Sequence, residues 1–200
     1  MKRLFIIAAL ALSALTLSAQ ESPIYLEQGT SSLSGFFSYS TNSLFRRSTG
    51  IMYNYYIQDG LALRANVRVG YNNDTTEDSS GATTYKTSYI DNNFRAGVGL
   101  QKSLIKSKRF NGYVATDVMA GIIGSKTKMG DNVNKDSTFE FGIRPAMGIE
   151  YHFVNNFFIG LEWGYDILFN SKKTDYRKVS NTIVDIADLS SASLRLGFNF

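Results

Sequence analysis

The last eleven residues, Ser190 to Phe200, read S-S-A-S-L-R-L-G-F-N-F. From Ala192 the pattern alternates. Ala192, Leu194, Leu196, Phe198 and Phe200 share one face, and Ser193, Arg195, Gly197 and Asn199 share the other. A period of two marks a strand with one apolar and one polar side. It runs to the final residue, where domains ordinarily fray. An apolar strand at the very end needs a medium for its apolar face and a partner for its edge. Both needs are met if it is the closing stave of a membrane β-barrel.

The rest of the chain supplies the other staves. Seven more alternating segments are read: about Ser31–Ser40, Arg47–Ile57, Leu61–Tyr71, Ile90–Gln101, Tyr113–Ile122, Phe139–Phe153 and Phe157–Phe169. The expected fold is therefore all-β, an eight-stranded antiparallel up-and-down transmembrane β-barrel. Three features favour it over a secreted sandwich. Segments of roughly 10 to 14 residues suit tilted strands crossing a bilayer, and the connections alternate short and long. The apolar faces are dense with Phe, Tyr, Leu, Ile and Val, while the polar faces carry Gly, Ser and charge. The tight turns fall at Gln58–Gly60, where Asp-Gly is a hairpin signal, and at Val154–Asn156. Polar stretches at residues 72–88, 125–136 and 170–181 are expected as long outer loops. Pro145 falls mid-strand, where it removes a ladder hydrogen bond, and a local bulge is expected there.

Residues 1–19 have the layout of a cleaved export signal: Lys2 and Arg3, an apolar run from Leu4 to Leu17, then Ser18-Ala19. Residues 20–29 follow as a short periplasmic tail, and residues 30–200 form the barrel. Losing Lys2 and Arg3 lowers the formal charge from +4 to +2, too mild to argue for nucleic acid. There is no cysteine, hence no disulfide framework or thiolate metal site. No cofactor or metal is implied. Acidic residues around Asp74 to Asp78 and Asp131 to Asp136 read as solvated.

The interior of an eight-stranded barrel holds only side chains. Parity sends eleven charged residues there: Arg64, Arg68, Arg95, Arg144 and Arg195 with Asp91, Asp117, Glu140, Glu150, Glu162 and Asp166. Isolated charges in such a space cost several kcal/mol each, so a paired network plugging the lumen is expected. The alternative use of the same residues is a narrow, porin-like conduit for ions or small solutes. His152, the only histidine, is placed inward beside the Val154 turn, where a buried structural histidine is expected rather than a catalytic one.

By these eight segments and the ending Leu194, Leu196, Phe198 and Phe200, the chain resembles the small OmpA/OmpX-like outer-membrane barrels over about residues 30–200. Some barrels of this size are lipid A-modifying enzymes, a third reading for which only His152 speaks. The resemblance implies outer-membrane localisation and an assembly signal at Leu194, Leu196, Phe198 and Phe200 read by the barrel-assembly machinery. It also implies a structural or surface role in adhesion or defence through the outer loops, without catalysis. Partners on this reading are outer-membrane lipid and lipopolysaccharide and a surface ligand, with the barrel itself a monomer. Lipopolysaccharide contact is suggested by Lys172, Lys173, Arg177 and Lys178. A second basic group, Lys102, Lys106, Lys108 and Arg109, falls on a periplasmic link.

Overall fold

The computed structural model describes residues 26–40, 47–80, 83–129, 132–154, 156–174, 182–185 and 190–200. The export signal of residues 1–19 lies outside the described residues. Ten strands are found among those described: β1 (Ser31–Ser40), β2 (Arg47–Gln58), β3 (Leu61–Ser80), β4 (Thr83–Lys106), β5 (Phe110–Met129), β6 (Asn132–Val154), β7 (Phe157–Tyr165), β8 (Ile167–Thr174), β9 (Thr182–Asp185) and β10 (Ser190–Asn199). They make eight staves. β7 and β8 are one stave interrupted at Asp166, since both pair with β6. β9 and β10 pair in turn with β8 and β7.

All pairings are antiparallel, and the sheet closes on itself. Neighbours run β1 to β2 to β3 to β4 to β5 to β6 to β7 to β10, and β10 returns to β1. The seam runs from Ser32 opposite Asn199 to Ser40 opposite Ser191. Below it, Ser31 and Phe200 exchange both backbone hydrogen bonds at 2.8 Å. Along this seam the backbone groups of β1 and β10 are paired, which is what hydrocarbon demands of a strand structure.

Burial follows parity because only one face of each stave meets a protein interior. Leu33, Phe37, Tyr53, Phe94, Val98, Ile122, Phe141, Leu161, Trp163 and Leu196 are exposed on the outer wall. Arg64, Arg95, Asp117, Glu140, Arg144, Glu150, Glu162 and Arg195 are buried inside. The inner set also holds apolar residues. Phe36, Met52, Tyr56, Met119, Phe158 and Leu168 are all buried. β5 alternates cleanly through Ala115 and Thr116.

Two expectations are corrected. The stretches at 72–88 and 125–136 are for the most part strand, not loop: β3 and β4 pair from Leu61–Lys102 up to Ser80–Thr83, and β5 and β6 up to Met129–Asn132. In the third, β8 carries strand to Thr174 and β9 resumes it at Thr182. Strands β3 to β6 therefore run 20 to 24 residues, about twice what a tilted stave needs to cross a bilayer. The excess projects as a sheet beyond the wall. Pro145 is not bulged, for it holds register opposite Thr116. On its other side the ladder lapses, because β6 pairs with β7 up to Ala146–Gly164 and with β8 only from Ile143–Ile167. The missing N–H of Pro145 falls beside the break at Asp166. Register shifts occur instead at Tyr56/Gln58, Ser103/Ile105 and His152/Val154, all beside the short turns.

The short-turn end has a floor. Residues 26–30 tuck against the β2–β3 turn: Gly60 N–H donates to the Leu26 carbonyl (3.0 Å), Gly29 N–H to that of Tyr56 (2.8 Å), and Tyr56 N–H to that of Thr30 (2.9 Å). Gly60 has φ +69, a conformation glycine adopts without cost. Leu26 is thereby buried against Tyr56 and Ala62. The described part of the 20–29 segment is thus held, not hanging.

Candidate functional site: a branched ion lattice in the lumen

The lattice begins with Glu162 on β7. Arg64 Nη2 lies 3.0 Å from its Oε2, Arg144 Nη2 3.5 Å from Oε1, and Arg195 Nη1 3.6 Å from Oε2. The Tyr113 hydroxyl donates to Oε2 at 2.9 Å and accepts from Arg195 Nη1 at 2.6 Å. Three guanidinium groups from β3, β6 and β10 thus converge on one carboxylate.

Three arms leave this hub. Arg64 Nε reaches Asp117 Oδ1 at 3.1 Å, and Asn66 supports that aspartate at 3.4 Å. Arg195 Nη1 reaches Glu150 Oε1 at 3.1 Å, while Asn111 donates to Glu150 Oε2 at 2.8 Å. Arg144 Nε faces Asp166 Oδ1 at 3.6 Å. Asp166 Oδ2 in turn lies 2.6 Å from Arg95 Nη1, and Arg95 Nε binds Glu140. The interruption between β7 and β8 is where Asp166 joins the network. Four guanidinium groups meet five carboxylates with nearly no exposure, so each charge that left water has close partners.

Glycine makes the space. A Cβ on Gly164 would run into the Arg144 guanidinium, and one on Gly148 into the Tyr113 ring. The hub therefore depends on two staves that lack side chains where the long ones cross.

Nine of the eleven expected charges are joined in this way, and two are not. Arg68 is buried but stands in register with Arg95, a like charge. Its guanidinium lies 5.2 Å from the centre of the Phe36 ring, a cation–π seat, and no ion pair links it to a carboxylate among the described residues. Asp91 is only half-buried, opposite Asn72 and Ser125 near the mouth, and no ion pair links it to the lattice.

Tyr113, Asn111, Ser34 and Phe158 are members the charge pattern could not show. Arg195 Nη2 donates to Ser34 Oγ at 3.2 Å and its guanidinium sits 5.6 Å from the Phe158 ring centre. Their signal was only inward parity.

His152 is buried at the short-turn end. Its backbone N–H donates to the Arg109 carbonyl at 2.8 Å and its ring packs on Phe158 with centroids 5.3 Å apart. The Glu150 carboxylate is 4.0 Å from Nε2, and neither ring nitrogen has a hydrogen-bond partner among the described residues. No group of three His, Cys, Asp or Glu able to hold a metal occurs among the described residues. The basic link Lys102 to Arg109 lies at the short-turn end. Lys172 and Lys173 fall on β8, and Arg177 and Lys178 lie outside the described residues. At the C-terminus, Leu194, Leu196, Phe198 and Phe200 are exposed on the outer wall, and the Phe198 and Phe200 rings lie 5.5 Å apart.

A closed antiparallel barrel with a charged core can be compared with known proteins. OprG of Pseudomonas aeruginosa superposes with a TM-score of 0.57 at 12% identity, over 87% of this chain and 97% of that one. Ail, the attachment invasion locus protein of Yersinia pestis, gives 0.53 at 14% identity, over 86% and 99%. The N-terminal β-barrel domain of P. aeruginosa OprF gives 0.51 at 13%, over 86% and 98%. At these identities the likeness is one of fold. A comparison with curated proteins returns no match. Among protein families, residues 4–200 match the outer membrane protein beta-barrel domain. Strand order, wall and match agree: this chain belongs to the outer-membrane β-barrel family and resides in the outer membrane.

Proposed function

We propose that this barrel is a surface-interaction protein, which presents its projecting sheet outside the cell while the ion lattice keeps its lumen shut. The short-turn end and both termini face the periplasm. The observation that carries the reading is the projection of β3 to β6 beyond the wall, together with an upper edge of β3 that no described strand covers. β2 pairs with β3 only as far as Ser48–Gly70, whereas β3 continues to Ser80 with β4 on its other side. From Tyr71 to Ser80 the far edge of β3 has no strand partner among the described residues. Such an edge is a template for an added strand, and extended segments of other proteins bind sheets in that way. The occupant proposed is an extended segment of an external protein. The fold admits such a role, since it is shared by Ail, named the attachment invasion locus protein.

A catalytic role is not proposed. His152 packs against a phenyl ring deep at the periplasmic end, away from the face on which lipid A or an external substrate would be met. The terminal residues Leu194, Leu196, Phe198 and Phe200 are proposed as the signal for the assembly machinery. The folded barrel is proposed to act as a monomer.

The test trims the projection and spares the wall. Asp74 and Tyr89 are directly opposite in the ladder, so residues 75–88 can be replaced by Asn-Gly, a two-residue hairpin turn. Cells displaying the trimmed chain are expected to lose most of their adhesion to protein-coated surfaces, at unchanged levels of heat-modifiable barrel. Undiminished adhesion would refute the reading.

A further inference from the structure

The projecting sheet of β3 to β6 has two faces of opposite charge, and register fixes which residue shares which face. Asn72, Asp74, Thr76 and Asp78 continue the face that carries Arg64 and Arg68 lower on β3. In the ladder Asp74 is opposite Tyr89 and Asp78 opposite Tyr85, with Thr76 opposite Thr87 between them. Thr127 and Asn134 complete the Asp74 rung. Above the Gly70–Asn93 rung, this face of the four strands holds Asp74, Asp78, Asp91 and Asp136, and no described lysine or arginine. Lys86, Lys126, Lys128 and Lys135 fall on the other face, where Glu77 stands opposite Lys86.

Glu77 thus has a cation across the ladder, whereas Asp74 and Asp78 have tyrosines. Asp74 is exposed, its Oδ2 accepts a hydrogen bond from Asn72 at 2.9 Å, and no ion pair reaches it among the described residues. Tyr89 across from it is 45% exposed. On its other side lies the edge that no described strand covers. Asp78 repeats the Asp–Tyr register four residues on, about 13–14 Å along the strand. Opposite charges across a strand pair stabilise it, and like charges destabilise it. That selects the occupant. From Tyr71 to Ser80 the edge strand carries Asp74, Glu77 and Asp78, with no lysine or arginine. A second copy is therefore a poor partner, since antiparallel pairing about Thr76 would set Asp74 opposite Asp78 of the second copy. An acidic segment fails in the same way. A cationic one fits, because a lysine or arginine opposite Asp74 meets the carboxylate, and its long side chain extends toward the Tyr89 ring beyond.

We propose that the upper edge of β3 selects a cationic extended segment of its external protein partner, added as a strand with lysine or arginine side chains four residues apart opposite Asp74 and Asp78. Backbone pairing along the edge gives the register, and the two carboxylates give the specificity. The inference rests on the reading of this edge as the docking site and adds the chemistry of what docks there.

The probe is the fluorescein-labelled peptide Thr-Val-Lys-Thr-Val-Thr-Lys-Val-Thr, whose lysines share one face of an extended strand. It is titrated by anisotropy against the full-length mature chain in nanodiscs of zwitterionic phosphatidylcholine, beside a neutral peptide with threonine at both lysine positions and an acidic one with glutamate. The lysine peptide is expected to bind most tightly and the glutamate peptide least. Asp74→Asn with Asp78→Asn removes two cross-strand charge pairs and should weaken the lysine peptide about tenfold, with the neutral peptide unchanged. Glu77→Gln, an acid of the same strand on the other face, should change the lysine peptide by less than about twofold, which separates the two seats from bulk charge. The chain trimmed at residues 75–88 should bind none of the three. Unheated gel mobility shows that each variant is a folded barrel. If all three peptides bind wild type alike and all are lost on trimming, docking at the edge stands and the charge selection is overturned. If the lysine peptide binds the trimmed chain as it binds wild type, or does not bind wild type, the edge reading itself fails and the selection with it.

Discussion

Glu162→Gln is expected to lower the unfolding free energy of the barrel by about 3–5 kcal/mol, the usual cost of removing one partner from a buried ion network. Arg64, Arg144 and Arg195 converge on this carboxylate, and the Tyr113 hydroxyl donates to it. The amide keeps the shape but loses the charge and places an NH₂ among donors. Arg64 would keep Asp117, Arg144 would keep Asp166 and Arg195 would keep Glu150. The lattice would separate into three charged arms joined only through the amide oxygen. Urea unfolding in phospholipid vesicles, followed by the gel mobility of unheated samples, gives the loss directly. Asp91→Asn is the matched control. Half-buried and apart from the lattice, it should stay within about 0.5 kcal/mol of wild type. A loss at Glu162 below about 1 kcal/mol would mean that water, not the neighbouring arginines, solvates that carboxylate.

Removing residues 198–200 is expected to abolish barrel formation. Phe198 and Asn199 are opposite Leu33 and Ser32, and Ser31 and Phe200 exchange two backbone bonds. Without them the lower end of β1 has open donors and acceptors at the wall, each costing several kcal/mol where no water reaches. Phe200→Ala makes the separating comparison, because it keeps every backbone bond and removes only the aromatic end. Refolding into synthetic vesicles, where no assembly machinery is present, should succeed for Phe200→Ala and fail for the truncation. In cells, Phe200→Ala should assemble more slowly if the last aromatic is the recognised signal. Normal refolding of the truncated chain would show that the β1–β10 seam closes without its last rungs.

The alternation at Leu194 to Phe200, and its counterpart in each of the other staves, made the wall legible because lipid and lumen impose opposite demands on adjacent residues. The same rule placed Arg64, Arg95, Glu140 and Glu162 inward. It could not pair them. Arg95 meets Asp166 from 71 residues away, a contact set by barrel shear and by a break in one stave. Arg68 and Asp91 obey parity yet stand apart, since position along the stave matters as much as face. The projecting strands have the sequence of loops for a physical reason. Above the membrane both faces are wet, so Asn72 to Ser80 and Lys126 to Asp136 show no hydrophobic alternation although their backbones pair. Thr75 and Thr76 in the one, and Thr127 and Val133 in the other, are β-formers too few to set a period. Leu26 is not legible because the short run Ile24 to Leu26 in a polar segment is too brief to show a period. Pro145 looked like an obstacle only until the lapse at Asp166 was placed beside it.

Single-channel recording of the purified mature chain in a planar bilayer tests most directly whether the lattice closes the lumen. Wild type is expected to show no steady conductance in molar salt, and Glu162→Ala with Arg64→Ala to show small, frequent openings. A steady ohmic conductance in wild type that changes on Arg64→Ala or Glu140→Ala would place an ion path through the lattice and contradict the closed-lumen account.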